Sequence, residues 1–193
     1  MAKGSAGRSA TVARRAQPSD AERLADLHVT TWQQAYAGLM PADYLRSLSA
    51  SQRLPMWQQL LGGSDERVAV FVADYEEKPI GFASGGRSTE QGTPTETGEV
   101  WALYLLRQFW GQGIGRQLHD TLLGQLVQLG FVEAVLWVLE ANERTRRWYV
   151  KRGWQLDGRQ KAAELWGAQI TEVRYERKLA TGGVGDRPPQ PAR

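Results

Sequence analysis

The spacing of apolar residues changes along the chain, and each change predicts a different kind of element. After Ser19, apolar positions such as Leu24 and Leu27 recur every three or four residues. This spacing predicts amphipathic helices from Ser19 through Gly62. Two short apolar runs follow, at 68–73 and 79–86, and the short polar link between them predicts an antiparallel pair of strands.

The second half of the chain repeats this alternation of strand and helix signals. The run Glu99–Leu105 is rich in Val, Trp, Tyr and Leu, which favours a buried strand. A leucine series that ends at Gly130 then predicts a helix. The remaining predictions are a strand at 134–139, a helix at 142–152 that ends at Gly153, and strands at 154–157 and 170–179.

This order of elements predicts an α/β fold with a mixed, mostly antiparallel central sheet and helices on both faces. A chain of 193 residues is long enough for one domain with a proper core, which we place at residues 11–179. Residues 1–10 are rich in Gly, Ser and Ala, and residues 180–193 are rich in Gly and Pro. We expect both ends to be disordered tails.

Composition excludes several classes of chemistry. The chain has no cysteine, so it has no disulfide framework, no thiolate nucleophile and no Cys-based metal site. The two histidines are far apart in sequence, and we expect no metal. A net charge of +3 comes with no nucleic-acid-binding motif, so we expect no nucleic-acid partner. There is no membrane-length apolar run and no signal-peptide core, which predicts no membrane association and a cytoplasmic location.

Three glycines at every second position follow the strand Glu99–Leu105 and open the next helix. Gly111, Gly113 and Gly115 would let backbone N–H groups approach an anion at a helix N-terminus. A P-loop is excluded because no Lys-Ser/Thr pair follows, and Arg116 stands where a Rossmann loop needs glycine. A phosphate-binding loop and a tight turn without a ligand both fit the glycines alone.

Two stretches resemble the GNAT superfamily of acyl-CoA-dependent N-acyltransferases. Trp110–Gly115, WGQGIG, resembles its pyrophosphate-binding motif [Q/R]-x-x-G-x-[G/A], with Trp110 in place of the usual Gln or Arg. Asn142–Trp154, NERTRRWYVKRGW, resembles the later segment N-x-x-A-x-x-[FY]-Y-x-x-x-G-[FW], with Thr145 in place of Ala. The resemblance spans residues 11–179, and 32–45 is similar to the first helices of a bacterial subgroup.

The resemblance implies an N-acetyltransferase that moves an acetyl group from acetyl-CoA to a primary amine by direct transfer in a ternary complex. The absence of cysteine argues against an acyl-enzyme. By position, Glu99 is the general base, and Tyr149 is the general acid or the group that orients the sulfur. The acceptor is a small-molecule amine or a peptide or protein amine. Dimers are common in the superfamily, so a homodimer is a further expectation.

The resemblance also implies which residues bind the cofactor and the acceptor. The strand backbone at 103–105 supplies the oxyanion donor. Trp32, Tyr36 and Trp101 are candidates for an aromatic rim around the acceptor amine, and Trp32 and Tyr36 fit equally well as core residues. Arg144, Arg147 and Lys151 share a helical face that meets either cofactor phosphates or solvent. The expected cofactor-binding residues are Leu103, Tyr104, Leu105, Trp110, Gly111, Gln112, Gly113, Ile114, Gly115, Arg116 and Asn142.

Strand alternation makes a geometric prediction for the same segment. It places Glu99, Trp101 and Leu103 on one face of the sheet, and Val100, Ala102 and Tyr104 on the other. Two other functions fit the glycine loop: a non-catalytic acyl-CoA-binding regulatory or interaction domain, and an α/β domain whose glycine turn holds no ligand. The presence of both Glu99 and Tyr149 favours the enzyme, because a non-catalytic domain needs neither residue.

Overall fold

The computed structural model describes residues 13–179, which form a seven-stranded sheet and five α-helices. Both predicted tails, Thr11 and Val12 lie outside the described residues. The strands are β1 (Ala13–Arg15), β2 (Ala69–Tyr75), β3 (Lys78–Arg87), β4 (Thr97–Leu105), β5 (Glu133–Leu139), β6 (Gln155–Leu165) and β7 (Ala168–Lys178). The helices are α1 (Ala21–Ala35), α2 (Ala42–Ser47), α3 (Ala50–Gly62), α4 (Ile114–Gln128) and α5 (Glu143–Val150).

The strands lie in the order β1-β2-β3-β4-β5-β7-β6, and every neighbouring pair is antiparallel except β4 and β5. This arrangement confirms the mixed, mostly antiparallel sheet. Strand β6 is longer than the predicted strand at 154–157. Most of its residues are exposed, because it lies at the edge of the sheet, so no apolar alternation marks its second half. In residues 13–179, no helix is long and apolar enough to cross a membrane.

Two apolar cores hold helices on opposite faces of the sheet. On one face, Leu118, Leu122 and Leu126 of α4 are completely buried. On the other face, Leu24 of α1 is buried in the same cluster as Trp57 of α3. Each such side chain contributes about 1.5–3 kcal/mol through removal from water. The strand residues of the second core come from β2, β3 and β4, and none come from the described parts of β5–β7. The half of this face formed by β5–β7 therefore has room for polar groups.

A β-bulge in β4 overturns the predicted alternation of its side chains. Ser84 of β3 pairs with Ala102, but the next residue, Gly85, pairs with Val100, so Trp101 is the extra residue. Val100 therefore packs in the α4 core, whereas Ala102 joins the α1–α3 core. The extra residue shifts the alternation by one position. Glu99 consequently shares a face with Tyr104, and the prediction that it shares a face with Leu103 is wrong.

Strands β4 and β5 pair over only part of their length. Their parallel pairing runs from Thr97 and Glu133 to Val100 and Leu136, although both strands continue further. Beyond this point the Leu106 N–H donates to the Ile80 carbonyl of β3 at 2.8 Å. Backbone groups alternate in direction along a strand, so those of Leu103 and Leu105 point away from β3. They face the gap between β4 and β5.

Candidate active site

Glu99 lies in a cleft of about 450 Å³ on the polar half of the sheet face. Trp137 of β5 forms one wall, β6 residues 159–161 form a second, and Thr89 and Glu90 close the cleft from the loop after β3. The Lys161 ammonium lies 4.3 Å from the centroid of the Trp137 ring. The cleft therefore combines a carboxylate with aromatic and charged walls.

Burial raises the pKa of Glu99 above its ordinary value. The Ser88 hydroxyl donates a hydrogen bond to Glu99 Oε2 at 3.0 Å, and this bond acts in the opposite direction but does not outweigh burial. In residues 13–179, Glu99 forms no ion pair. A half-buried carboxylate with a raised pKa and no cationic partner is suited to accept a proton near neutral pH.

The other carboxylates around the cleft are paired. Arg174, whose side chain is 7% exposed, contacts Asp157 and Glu90 at 2.5 Å each. Arg159 approaches Glu90 at 3.4 Å, and Lys161 contacts Glu172 at 3.0 Å. These pairs tie the loop after β3 to β6 and β7, and they leave Glu99 as the carboxylate of this cluster without a charge partner.

The glycine loop has the backbone geometry that an anion site requires. Gly111 and Gly113 have φ of 79° and 88°, in the left-handed region, and Gly113 is the N-cap of α4. Among the described residues, the N–H groups of Gly111, Gln112 and Gly113 donate to no backbone carbonyl. The first turn of α4, at Ile114 and Gly115, adds N–H groups without intrahelical partners. These donors lie at the N-terminus of α4, which is the positive end of the helix dipole.

Trp110 has a structural role that its sequence position does not indicate. Its indole N–H donates to the Leu105 carbonyl at 2.7 Å, so the ring lies beside the edge of β4 that faces the gap. The Arg144 guanidinium of α5 lies 3.6 Å from the centroid of this ring. The backbone groups of Tyr104 point to β3, so only Leu103 and Leu105 of the predicted stretch present backbone groups to the gap.

Tyr149 lies on the α4 side of the sheet, in the core against which Leu103 and Leu105 pack. Its ring is buried against Trp148, Trp154 and His119, and its hydroxyl hydrogen-bonds to none of the described residues. Burial raises the pKa of Tyr149 well above its ordinary value, and the nearby Tyr36 adds to this effect. Tyr36 directly follows α1, which packs on the other face, so groups from both faces of the sheet lie near each other here.

The predicted aromatic rim comes together only in part. The Trp32 and Tyr36 rings are 5.1 Å apart, and the hydroxyls of Tyr36 and Tyr104 form a 2.8 Å hydrogen bond. Trp101, the bulge residue, instead lies against Gly86, where an added Cβ would be 2.6 Å from the indole. In the described residues Trp101 has no ring contact with Trp32 or Tyr36.

Three other predicted cofactor residues have local structural partners. The Asn142 side-chain oxygen accepts from the Thr145 N–H at 3.1 Å and so caps α5. The Gln112 side chain donates to the Gln108 carbonyl at 3.0 Å. The exposed Arg116 pairs with Asp120 at 3.2 Å and lines a groove with Lys151, Arg152 and Arg177.

Several residues of the cleft have no local signal in the sequence. They are Ser88 and Glu90 in the loop after β3, Lys161 on β6 and Arg174 on β7, and the sheet brings these three segments together. Strand alternation gives one hint, since residues two apart on a strand share a face. That rule, however, does not say which strands are neighbours, so it cannot show that these residues lie close together.

Comparisons with known proteins agree with this geometry. The profile described as Acetyltransferase (GNAT) family matches residues 16–154. YuaI of Bacillus subtilis, an uncharacterized N-acetyltransferase, is 36% identical over 132 residues, which are 67% of this chain and 72% of that protein. Rv2775 of Mycobacterium tuberculosis, a probable N-acetyltransferase, is 26% identical over 169 residues, 84% of this chain and 90% of that protein.

Solved structures of low sequence identity have the same fold. PaiA N-acetyltransferase of Thermoplasma acidophilum, in complex with coenzyme A, matches with a TM-score of 0.66 at 20% identity, covering 88% of this chain and 99% of that chain. YncA of Salmonella typhimurium, a putative acetyltransferase with its cofactor acetyl-CoA, matches with a TM-score of 0.68 at 19% identity, covering 93% and 99%. The family profile, the curated relatives and the fold all confirm the resemblance in the sequence, and the chain belongs to the GNAT family of N-acetyltransferases.

Proposed function

We propose that this protein transfers the acetyl group of acetyl-CoA directly to a primary amine while both substrates are bound. The observation that carries the proposal is the gap between β4 and β5. The open backbone edge of Leu103 and Leu105 and the glycine loop lie at this gap, and Glu99 lies earlier on the same strand. Acetyl-CoA supplies an activated acyl group when bound, and the chain supplies positioning, a base and hydrogen-bond donors.

The residues present fit the cofactor. The free N–H groups from Gly111 to Gly115 suit a pyrophosphate, since they offer several donors at a helix N-terminus. The Leu103 and Leu105 N–H groups and the Leu103 carbonyl are left unpaired by β5 and suit an extended amide-containing chain, whereas the Leu105 carbonyl accepts from Trp110. The Leu105 N–H faces the gap and is the donor for the negative charge that develops on the acyl oxygen.

Glu99 takes the first proton. An alkyl ammonium has a pKa near 10, so it must lose a proton before its nitrogen can attack. Glu99 accepts this proton, with its carboxylate oriented by the Ser88 hydroxyl. The C–N bond then forms as the C–S bond breaks, and the second nitrogen proton ends on the departing sulfur. The products are an amide and a thiol.

Tyr149 acts on the sulfur as a hydrogen-bond donor. Its raised pKa keeps the hydroxyl protonated throughout the neutral range. Full ionisation would be uphill, because an ordinary thiol has a pKa of about 8.5, well below that of this phenol. We therefore assign Tyr149 to orienting the sulfur and stabilising its developing charge rather than to permanent loss of its proton.

The unpaired charge of Glu99 supports an amine as acceptor. The other carboxylates of this cluster, Glu90, Asp157 and Glu172, are neutralised by Arg174, Arg159 and Lys161. A protonated amine would supply the missing positive charge before it reacts. Both a small-molecule amine and a peptide or protein amine fit this requirement. The cytoplasmic location, the homodimer and the limits 11–179 of the domain stay predictions of the sequence.

The test combines binding with a substrate screen. Isothermal titration with acetyl-CoA should give saturable binding of one equivalent per chain. A panel of polyamines, amino acids, aminoglycosides and peptides, followed by free-thiol release, should then show turnover above acetyl-CoA hydrolysis with at least one amine. Absence of acetyl-CoA binding would overturn the proposal. Binding with no turnover on any amine would support the non-catalytic acyl-CoA-binding domain instead.

A further inference from the structure

We propose that Arg144, stacked on the Trp110 ring, is the cation that binds the cofactor's phosphates at the glycine loop. This inference rests on the proposed function. The loop itself carries no cation between Trp110 and Gly115, since its motif begins with an uncharged tryptophan. Arg144 is on α5, so the proposed phosphate site is formed by two segments, the glycine loop and α5.

The position of Arg144 is held by its contact with Trp110. The guanidinium carbon lies 3.6 Å from the centroid of the indole ring, within the range of a cation–π interaction. The ring is fixed in turn, because its N–H donates to the Leu105 carbonyl at 2.7 Å. The indole thus joins the strand edge to α5, and it holds a guanidinium on the residue that directly precedes Gly111.

The charge of Arg144 is not compensated within the described residues. Residues 13–179 offer it no ion pair, although its neighbours on α5 and α4 have partners. Arg147 pairs with Glu143 at 2.8 Å, and Arg116 pairs with Asp120 at 3.2 Å. A second guanidinium, that of Arg107, lies 5.9 Å from the same ring. Two guanidinium groups thus lie near one aromatic ring, and among the described residues neither forms an ion pair with a carboxylate.

A pyrophosphate matches this site in charge and geometry. The loop N–H groups offer directional donors to phosphate oxygens, but backbone donors carry no net charge. A guanidinium adds that charge and can donate two parallel hydrogen bonds to one phosphate. Arg144 therefore supplies from α5 the charge that the glycine loop lacks, and cofactor binding fixes α5 against the loop.

The decisive experiment measures the dissociation constant of coenzyme A by isothermal titration. Arg144→Ala should weaken binding about tenfold, which corresponds to the loss of about 1.4 kcal/mol. Arg147→Ala is the matched control, since it removes an exposed arginine from the same helix, and it should change binding less than twofold. Pantetheine, which lacks the phosphates, should bind equally to both variants, and thermal unfolding should show that both are folded.

A second variant tests whether the missing charge, rather than the packing, is responsible. Adding Trp110→Arg to Arg144→Ala returns a guanidinium to the loop and should recover most of the lost coenzyme A affinity. Equal affinities for Arg144→Ala and Arg147→Ala would overturn the inference, and so would a double variant that is no better than Arg144→Ala. These outcomes leave the proposed function standing, whereas wild-type protein that does not bind coenzyme A would overturn both.

Discussion

The two sides of the gap between β4 and β5 are built in different ways. The proposed cofactor side consists mainly of backbone groups from one continuous segment, Leu103 to Gly115. The acceptor side consists of side chains from separate segments, with Glu99 on β4, Ser88 at the end of β3, and Arg174 on β7. The cofactor side thus depends on local conformation, and the acceptor side depends on the packing of strands that are distant in sequence.

The largest effect should come from breaking the buried charge cluster on the acceptor side. Arg174→Met removes the shared partner of Asp157 and Glu90, and it leaves the buried Asp157 carboxylate without a cation. We expect the free energy of unfolding in urea at pH 7 to fall by about 3–5 kcal/mol. Arg159→Met removes a half-exposed arginine from the same cluster and should cost under about 1 kcal/mol. Equal losses would mean that the cluster does not hold the cleft together.

The same variant has a defined pH dependence. Burial raises the pKa of Asp157, but hydrogen bonds from the Arg159 N–H and the Arg174 guanidinium outweigh it and leave the pKa below its ordinary value. The wild-type contribution is therefore complete above the ordinary pKa of aspartate and is lost as pH falls through the lowered pKa. The difference between wild type and Arg174→Met should shrink as urea titrations move from pH 7 toward pH 3.

The next effect concerns the proposed base. Glu99→Gln keeps the shape of the side chain but removes the proton acceptor, and turnover at pH 7 should fall by about 100-fold or more. Burial raises the pKa of Glu99, and the basic form exists only above that pKa. The wild-type rate should therefore decline as pH falls through it, and the rate of the variant should not follow this decline.

The matched control for this prediction is Glu96→Gln. Glu96 is exposed in the loop before β4, so its loss should leave both turnover and the pH profile unchanged. A Glu99→Gln enzyme that keeps the wild-type pH profile would place the base elsewhere.

The smallest effect should come from the cofactor side, where one backbone conformation is decisive. Gly113 has φ of 88° at the start of α4, and Gly124 lies within that helix, yet an added Cβ would meet nothing within 4 Å at either position. Gly113→Ala should cost about 1–2 kcal/mol, because the left-handed conformation is strained for alanine. Gly124→Ala should instead stabilise the protein by about 0.5–1 kcal/mol.

Thermal unfolding measures the stability of the two alanine variants, and titration with coenzyme A measures their affinity for the cofactor. Only Gly113→Ala should weaken coenzyme A binding, because only that glycine shapes the loop. Equal behaviour of the two variants would mean that the left-handed conformation at Gly113 does not limit stability or coenzyme A binding.

The sequence predicted the cofactor side more completely than the acceptor side. The glycine spacing and the apolar run before it indicate a strand, a loop and a helix, because each signal depends on neighbouring residues only. The prediction for the faces of β4 was wrong, since alternation assumes an unbroken strand and Trp101 is a bulge. Nothing local to β4 indicates a bulge that depends on pairing with β3.

Trp110 is a second residue whose contacts the sequence does not predict. Its place in the motif is evident from the sequence, but its partners, Leu105 and Arg144, are five residues earlier and on another helix. Asn142 is the converse case. Its contact with Thr145 is a local helix cap, which fits its position before α5 better than a remote contact does.

The sequence by itself determined the order of elements, the glycine loop, the absence of cysteine chemistry and the family, because each is set by residues that are close along the chain. The tertiary structure decided which side of β4 carries Glu99, which cations neutralise its neighbours, and where a guanidinium meets the loop. Those features depend on strand order, on one bulge and on the point where β4 and β5 part. Strand order, the bulge and the separation of β4 from β5 all depend on pairing between segments that are distant in sequence, and no local pattern in the sequence specifies that pairing.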